Sequence, residues 1–420
     1  MAKKKWTKKY KKKFKRSWKN AKKRVTKRWK KIKRLRNGKN FYKAVLSVLG
    51  KLPKNENIIV FESFFGKQYS CNPRAIYEQM QQDYPKLRFY WSIDHRYKEL
   101  FDERGLKTIK RFSFRWFIVL MRARYWVFNS RLPKWIPKPD KTVYIQTWHG
   151  TPLKKLAKDM NEVTMPGTTT EKYKRNFLFE AGRWDYLVAP NPYSAQIFRR
   201  AFEFRHNLLE TGYPRNDYLH HYSHSDVEQI KENLGIPEDK KVILYAPTWR
   251  DNEYYFIGKY KFTLSMDLEE MRRRLGDEYV LLLRLHYLVS DHLDVTGYED
   301  FAIDASAYED IRDLYVVSDV LITDYSSVMF DYGILKRPMI FYTYDIDSYR
   351  DKLRGFYFDF EQEAPGPLVM NTEEIIEEVE NSGTIRERYH KEVADFEEQF
   401  NQWEDGYAAK RVVEKVFNAN

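Results

Sequence analysis

The chain has 420 residues, of which 43% are hydrophobic and 17% aromatic, and its formal net charge is +16. This composition excludes a disordered protein and supplies enough apolar surface for two or three domains. A single cysteine, Cys71, excludes an internal disulfide and a cysteine-based metal site. The longest apolar run is far below the roughly 18 residues of a membrane span, and the charged N-terminus lacks the apolar core of a secretory signal, which predicts a protein on the cytoplasmic side.

The positive charge is concentrated in residues 1–40, which contain 22 lysines and arginines and no acidic residue, so the rest of the chain carries a net charge of −6. The less polar residues of this arm recur about every 3.6 positions, which predicts an amphipathic helix. Its stripe includes Trp6, Phe14, Trp18 and Trp29. Aromatic side chains among cations are typical of a helix lying on an anionic membrane surface. Nucleic acid is the second interpretation and an inert tail the third, because neither requires a regular aromatic stripe.

From residue 41 the chain alternates strand-like and helix-like segments, which predicts parallel sheets with helices on both faces. In the first half we predict strands at 57–61, 87–92, 125–129, 142–147, 185–189 and 208–211, and helices at 73–82, 113–122, 153–160 and 192–202. After a polar helical link at 218–240, the predicted strands are 242–246, 280–285, 320–323 and 339–342, and the predicted helices are 266–275, 310–317, 327–335 and the acidic region from 372. The predicted fold class is α/β, with two Rossmann-like domains facing a cleft. The predicted boundaries are 1–40 for the arm, 41–225 for the first domain and 226–420 for the second.

The strongest candidate site is the segment HGTPLK at 149–154, which follows a predicted strand and opens a predicted helix. Gly150 permits a tight corner there, and Pro152 suits the first helical turn. His149 therefore lies beyond the carboxyl end of a strand, where α/β folds bind their ligands, and a histidine can act as a base near neutral pH. Lys154, one turn further along, offers a cation for a phosphate group.

The second candidate site is 323–333, TDYSSVMFDYG, where a predicted strand ends at Asp324. Ser326 and Ser327 are predicted to cap the next helix, and such a helix start suits an anion such as a diphosphate, although an ordinary N-cap is the commoner meaning of the pattern alone. A third strand end carries Arg284 and His286. Because side chains alternate along a strand, both are predicted to point into the cleft as phosphate ligands.

Taken together, six segments resemble the CDP-glycerol glycerophosphotransferase family, the teichoic-acid primases and polymerases of Gram-positive bacteria. The segments at 149–154 and 323–333 are the specific ones, and those at 212–217, 246–250, 284–286 and 354–360 support them. The resemblance implies a GT-B-like fold with an N-terminal acceptor domain and a C-terminal nucleotide-donor domain. It also implies peripheral attachment to the cytoplasmic face of the cell membrane. Tyr287 is a departure, because proline is expected at this position in many relatives.

The resemblance further implies an enzyme that transfers glycerol phosphate from CDP-glycerol to a hydroxyl of an undecaprenyl-diphosphate-linked acceptor of teichoic-acid or capsule type, releasing CMP. The family's two key histidines correspond to His149, the predicted general base, and His286, the predicted ligand of the donor diphosphate. Neither a metal site nor a required cofactor is predicted, and Mg²⁺ is left open. The residues predicted to bind substrate are Lys154, Arg215, Arg250, Arg284, Asp324, Ser326, Ser327 and Asp331.

Several alternatives remain open. CDP-ribitol is an equally good donor for motifs that bind only cytidine and diphosphate. A primase or short-chain transferase is favoured over a long-chain polymerase, because the chain holds no large extra module. A basic-arm nucleic-acid-binding protein is the alternative of another class, and the acidic body argues against it. An inactive nucleotide-binding scaffold is disfavoured because His149 and His286 are both present.

Overall fold

The computed structural model describes residues 46–51, 53–163, 167–248, 250, 254–256, 259–260, 263–285, 295–349 and 355–417. The predicted arm, with Trp6, Phe14, Trp18 and Trp29, lies outside the described residues, and so does His286. Among the helices that are described, none is long and apolar enough to cross a membrane.

The first half of the chain forms a seven-stranded parallel sheet. Its strands are β1 (Asn55–Glu62), β2 (Arg88–Ile93), β3 (Thr108–Lys110), β4 (Ala123–Phe128), β5 (Val143–Gln146), β6 (Tyr186–Ala189) and β7 (Asn207–Glu210). Their order in the sheet is β3-β2-β1-β4-β5-β6-β7, so the chain winds outward in both directions from β1 and β4, as in Rossmann folds. The helices of this half are α1 (Cys71–Asp83), α2 (Lys98–Asp102), α3 (Phe114–Arg122), α4 (Thr170–Ala181) and α5 (Pro192–Ala201).

The second half repeats this plan with a six-stranded parallel sheet. Its strands are β8 (Lys241–Ala246), β11 (Tyr279–Leu283), β12 (Ala302–Asp304), β13 (Val320–Thr323), β14 (Met339–Tyr342) and β15 (Leu368–Val369), and a separate antiparallel pair is formed by β9 (Tyr254–Phe256) and β10 (Lys259–Tyr260). The order β12-β11-β8-β13-β14-β15 again reverses beside the first strand. Two Rossmann-like sheets are therefore present, as the alternating sequence pattern predicts.

The remaining helices connect and cover the two sheets. They are α6 (Tyr218–His221), α7 (His224–Leu234), α8 (Leu268–Leu275), α9 (Ile311–Val317), α10 (Val328–Tyr332), α11 (Ile346–Ser348), α12 (Phe360–Glu363), α13 (Thr372–Glu380), α14 (Ile385–Arg388), α15 (His390–Phe400) and α16 (Ala408–Phe417). Short 3₁₀ turns occupy Phe64–Gly66, His95–Tyr97, Ala157–Asp159, Pro214–Asp217, Gly333–Leu335 and Ser382–Thr384. The connecting helix α7 shows why these segments are helical: Ser223 and Asp226 form a capping box at its start, and Gly235, at φ 70°, ends it.

The cores lie on both faces of each sheet. All five residues of β11 are buried, and β13 and β14 are buried throughout, which explains why these strands are continuous apolar runs rather than alternating ones. In the first half, large aromatic residues fill the core, and Trp116, Trp126 and Trp184 are completely buried. The aromatic content of the chain is therefore largely structural in this half.

The last helix, α16, packs on the first sheet although it follows the second sheet in the chain. Phe417 lies 4.5 Å from Tyr125 between ring centroids, and Val412 is completely buried in the same cluster. The Asp217 carboxylate accepts hydrogen bonds from the backbone N–H groups of Ala408 and Ala409, both at 2.8 Å. The chain thus passes between the halves twice. The domain boundaries of the sequence analysis stay predictions.

The helix predicted at 153–160 is wrong. Lys154 instead forms an antiparallel bridge with Phe356, and only Ala157–Asp159 is helical, as a 3₁₀ turn. The backbone N–H of Lys155 donates to the Gly355 carbonyl, and that of Tyr357 donates to the Leu153 carbonyl. Pairing with a distant segment therefore replaces the local helical hydrogen bonds that Pro152 and the apolar spacing indicate.

Candidate active site

The carboxyl ends of the two sheets face each other across a cleft that contains two adjoining cavities of about 210 and 240 Å³. Both cavities are lined by His149 from the first half and by Pro247, Ser326 and Ser327 from the second. The halves approach closely here, because a Cβ atom placed on Gly150 would lie only 2.9 Å from the Ser327 hydroxyl oxygen. The two most specific sequence motifs thus meet at one place.

His149 is held in a defined orientation after β5. Its Nδ1 lies 2.9 Å from the backbone carbonyl oxygen of Asn129, its ring stacks on Trp148 at 5.0 Å, and Phe64 contacts it edge-on at 5.5 Å. Since a carbonyl oxygen can only accept, Nδ1 carries the hydrogen, and we assign the tautomer in which Nε2 is the acceptor. This leaves a basic nitrogen for a ligand in the cleft.

Burial lowers the pKa of His149 to about 4. The positive charges of Arg215 and Arg131 lower this pKa further, while the hydrogen bond to the Asn129 carbonyl opposes the shift. The residue is nevertheless exposed toward the open cleft, so water reaches one side of the ring and moderates this lowering of the pKa. The imidazole is neutral at pH 7, the state that a general base requires.

Lys154, Ser326 and Ser327, which were predicted to contact phosphate, line the cleft together with His149. The Lys154 Nζ is 3.4 Å from the Thr248 hydroxyl and 5.0 Å from the centroid of the Tyr349 ring, so it reaches from the first half to the second. Ser326 and Ser327 are half-buried and line both cavities. Ser327 occupies the N-cap position of α10, as predicted, but its side chain makes no capping hydrogen bond. Their hydroxyl groups face the cleft.

Arg250 and Asp324 form an ion pair with each other. The Arg250 Nη1 donates to Asp324 Oδ2 at 2.8 Å, and its Nε donates to Asp345 Oδ2 at 2.8 Å. The other Asp324 oxygen accepts the backbone N–H of Thr248 at 2.8 Å. Neither Arg250 nor Asp324 is among the residues that line the two cavities. This network fixes the loop that follows β8, and the substrate contact predicted for the pair stays a prediction.

Arg284 lies at the wall of the smaller cavity. Its Nη1 donates to the backbone carbonyls of Ala305 at 2.8 Å, Ser306 at 2.6 Å and Tyr308 at 2.6 Å. Burial lowers the pKa of Arg284, but a guanidinium remains a cation at neutral pH. Arg284 therefore supplies positive charge to this cavity while it holds the loop after β12. Its predicted partner His286 lies outside the described residues.

Arg215 and Asp331 form a buried ion pair between the two halves. The Arg215 Nη2 is 2.6 Å from Asp331 Oδ2, and Asn216 donates to the other carboxylate oxygen at 3.1 Å. Arg215 Nη1 donates to the backbone carbonyl of His149 at 2.8 Å. Both charged residues line the smaller cavity. The Nη atoms of Arg215 and the carboxylate oxygens of Asp331 are engaged with protein groups, including the backbone carbonyl of His149, whereas the buried Arg215 Nε has no hydrogen-bond partner among the described residues.

Asn129 and Phe64 contact the His149 ring and were not among the predicted site residues. Their positions carried a signal, because each follows a strand next to the switch between β1 and β4, where ligands of such sheets bind. Over the described parts of the chain, no group of three or more histidine, cysteine or acidic residues is arranged to hold a metal ion. The site thus combines one neutral base with hydroxyl groups and cations, an arrangement suited to phosphoryl transfer.

A model of the family described as CDP-Glycerol:Poly(glycerophosphate) glycerophosphotransferase matches residues 44–418. The chain belongs to this family. The resemblance identified from the sequence is therefore confirmed, and the chain is a transferase of this family. The segments that carried the resemblance lie within the matched range.

Curated relatives agree with this assignment. The chain is 54% identical to the teichoic acid poly(glycerol phosphate) polymerase of Bacillus subtilis strain 168, over 93% of this chain and 53% of that protein. It is 54% identical to the protein of the same name from Bacillus spizizenii, over 89% of this chain and 95% of that one. A teichoic acid glycerol-phosphate transferase of Staphylococcus aureus is 48% identical over 89% and 96%. The chain spans about half the length of the Bacillus subtilis relative.

Among solved structures, the wall teichoic acid polymerase TagF superposes with a TM-score of 0.84 at 45% identity, covering 94% of this chain and 97% of that one. A histidine-to-asparagine variant of TagF soaked with CDPG superposes equally well, at 44% identity. A UDP-GlcNAc 2-epimerase from Neisseria meningitidis, at 14% identity and a TM-score of 0.51, shares the fold alone. The predicted α/β fold of GT-B type, with two Rossmann-like domains facing a cleft, is confirmed.

Proposed function

We propose that this chain transfers glycerol phosphate from CDP-glycerol to a hydroxyl of a lipid-linked teichoic-acid-type acceptor and releases CMP. The observation that carries the proposal is the neutral His149, whose Nδ1 is bound to the Asn129 carbonyl while its ring lines both cavities. The family match, and the TagF structures that include one soaked with CDPG, support CDP-glycerol as the donor.

In this mechanism His149 Nε2 takes the proton of the acceptor hydroxyl as its oxygen attacks the phosphorus that bears the glycerol. A new bond forms between that oxygen and phosphorus, and the bond from phosphorus to the bridging oxygen breaks. CMP leaves with the electron pair, and the proton on His149 passes to solvent. A positioned base contributes typically about 10²–10⁴-fold, and the rest of the acceleration comes from positioning and charge stabilisation.

The developing charge is stabilised by groups around the two cavities. In this proposal Lys154 and the hydroxyls of Ser326 and Ser327 contact donor phosphates, supported by their positions at the cavity walls, and Arg284 contributes positive charge to the smaller cavity. His286 keeps its proposed role as a ligand of the diphosphate on the strength of the resemblance alone. This set of donors and cations supports transfer without a required metal, as polar groups fixed before the reaction stabilise charge well.

The relatives favour glycerol over ribitol and chain extension over priming. The two Bacillus relatives that share 54% identity are named poly(glycerol phosphate) polymerases. A ribitol-phosphate primase of Bacillus spizizenii and a glycerol-phosphate primase of Bacillus subtilis each share 30%. The sequence favoured a primase because the chain holds no large extra module. The higher identity to the polymerases than to the primases does not support that preference. We therefore propose repeated addition of glycerol phosphate.

Activity is tested by measuring CMP release from CDP-glycerol and, separately, from CDP-ribitol, with a prenyl-diphosphate-linked acceptor on anionic vesicles. We expect acceptor-dependent release with CDP-glycerol. His149→Ala is expected to lower turnover by about 10²–10⁴-fold, with the dissociation constant for CDP-glycerol changed less than about twofold in calorimetry. His224→Ala removes an exposed histidine of α7 and serves as the matched control. Wild-type turnover in His149→Ala would refute the base assignment, and no release with any donor would refute the transferase.

We also propose that residues 1–40 attach the protein peripherally to the cytoplasmic face of an anionic membrane. The support is the aromatic stripe within 22 positive charges. Sedimentation of the full chain with phosphatidylglycerol vesicles tests this, beside a variant in which Trp6, Phe14, Trp18 and Trp29 are alanine. We expect binding that weakens with salt and is lost in the variant. Binding to DNA but not to vesicles would assign the arm to nucleic acid instead.

A further inference from the structure

Three consecutive backbone carbonyls of the base loop, residues 147–150, accept hydrogen bonds from side chains elsewhere in the chain. Asn72 Nδ2 donates to the Trp148 carbonyl at 3.2 Å, Arg215 Nη1 donates to the His149 carbonyl at 2.8 Å, and the Tyr213 hydroxyl donates to the Gly150 carbonyl at 3.0 Å. Asn72 Nδ2 also donates to the Thr147 carbonyl at 3.1 Å. Carbonyls in a loop can be satisfied by water, so side-chain donors to consecutive carbonyls indicate that the protein holds this loop in one conformation.

The base loop requires such stabilisation because Trp148 has a left-handed backbone conformation, with φ at 53°. Such a conformation is unfavourable for a bulky residue and persists only where the surroundings impose it. The His149 ring has one hydrogen bond of its own among the described contacts, to the Asn129 carbonyl. The direction of its other nitrogen therefore depends on where the base loop places the Cα atom of His149.

The donors are themselves connected. The backbone N–H of Arg215 donates to Asn72 Oδ1 at 3.1 Å, so the two side chains that hold adjacent carbonyls are tied together. Arg215 also binds Asp331 at 2.6 Å, and Asp331 belongs to α10, the helix that follows Ser326 and Ser327. An unbroken set of hydrogen bonds thus runs from the base loop to the helix that carries the serines of the other half.

We propose that Asn72, Tyr213 and Arg215 are positioning residues that form a frame around the base loop, and that Asp331 sets this frame relative to the donor half. The proposal rests on the proposed function, because it takes His149 as the base. It assigns a role to the segment at 212–217 other than the substrate contact that the sequence predicts. The frame acts by keeping Nε2 of His149 aimed at the acceptor hydroxyl, and a displacement of about 1 Å in such a geometry can cost about 100-fold in rate.

Tyr213→Phe is the sharpest test because it removes only the hydroxyl that binds the Gly150 carbonyl. Tyr342→Phe is the matched control, since the Tyr342 side chain is also buried and its hydroxyl donates to the backbone carbonyl of Ser265 at 3.2 Å, on the second sheet. We expect similar losses of Tm in both variants. We expect kcat for CMP release to fall by about tenfold or more in Tyr213→Phe alone, with the KM for CDP-glycerol changed less than about twofold.

A second readout does not depend on turnover. The pKa of His149, followed by NMR in the free protein, is expected to rise toward the ordinary histidine value in Tyr213→Phe, because a relaxed base loop admits water to the ring. Tyr342→Phe is expected to leave it unchanged. Unaltered kcat and His149 titration in Tyr213→Phe, or equal changes in both variants, would overturn the frame. Absence of CMP release by the wild-type protein, with the NMR shift still present, would instead reject the proposed function and retain the frame.

Discussion

The pH dependence of turnover tests the environment of His149 most directly. Burial lowers the pKa of this residue to about 4, and the Asn129 carbonyl keeps the hydrogen on Nδ1. At pH 6 a base whose pKa lies well below 6 is almost entirely neutral, whereas one at the ordinary value of about 6.5 is only about one quarter neutral. Lowering the pH from 8 to 6 is therefore expected to leave kcat/KM almost unchanged, where an ordinary histidine would lose about three quarters of it.

The assay is CMP release at CDP-glycerol concentrations below KM, from about pH 4.5 to 8.5 at constant ionic strength. Samples returned to pH 7.5 show whether the protein survived. This check is needed because a lowered folded-state pKa stabilises the fold above about pH 6.5 and loses that contribution as the pH falls toward 4. NMR titration of the nine histidines, with His149→Asn for assignment, gives the pKa independently. A reversible acid limb centred near 6.5 would refute the reasoning.

Two further predictions use particular contacts. Gly150→Ala places a Cβ atom 2.9 Å from the Ser327 hydroxyl oxygen, so we expect CMP release to fall about tenfold while Gly383→Ala, which meets no neighbour within 4 Å, leaves it unchanged. Burial raises the pKa of Glu404 to about 8, above its unfolded value of about 4.5, so its contribution to stability is complete below about pH 4.5 and is lost as the pH rises through 8. Glu404→Gln is therefore expected to gain stability relative to wild type between pH 5 and pH 9 in urea unfolding.

Most of the fold could be predicted because parallel strands buried on both faces are continuous apolar runs bounded by polar residues. The predictions for β13 and β14 match the structure residue for residue. Five strands of three residues or fewer were missed, because so few residues carry no pattern: β3, β9, β10, β12 and β15. Helix α4 was also missed, although Thr169 caps it. The helix predicted at 153–160 failed because the segment pairs with residues about 200 positions later, which local spacing cannot reveal.

The sequence predicts which residues lie at the cleft, but it does not show which charged residues pair with each other. His149, Ser326 and Ser327 were placed correctly at the cleft because the carboxyl ends of parallel strands share one edge of a sheet. Arg215 and Arg250 were predicted to bind substrate because a sequence shows charges without their partners. Those partners are Asp331 and Asp345, 116 and 95 positions away, and a buried arginine is neutralised by the carboxylate that it meets.

The difference between arginines that are paired with a carboxylate and those that are not singles out Arg284. Arg215 and Arg250 are balanced by carboxylates, whereas no carboxylate of the described residues lies within ion-pair distance of Arg284, which donates only to carbonyls at the wall of the smaller cavity. Asp310 and Asp304 interact with the Arg284 charge without forming an ion pair, so this charge remains available to a diphosphate in the partly enclosed cavity. We therefore expect Arg284→Gln to raise the KM for CDP-glycerol at least about tenfold. Arg284→Lys keeps the charge but loses the planar fork, so it is expected to retain most of the donor affinity. Equal increases in KM for both variants would show that Arg284 acts by holding the loop after β12, and not through its charge.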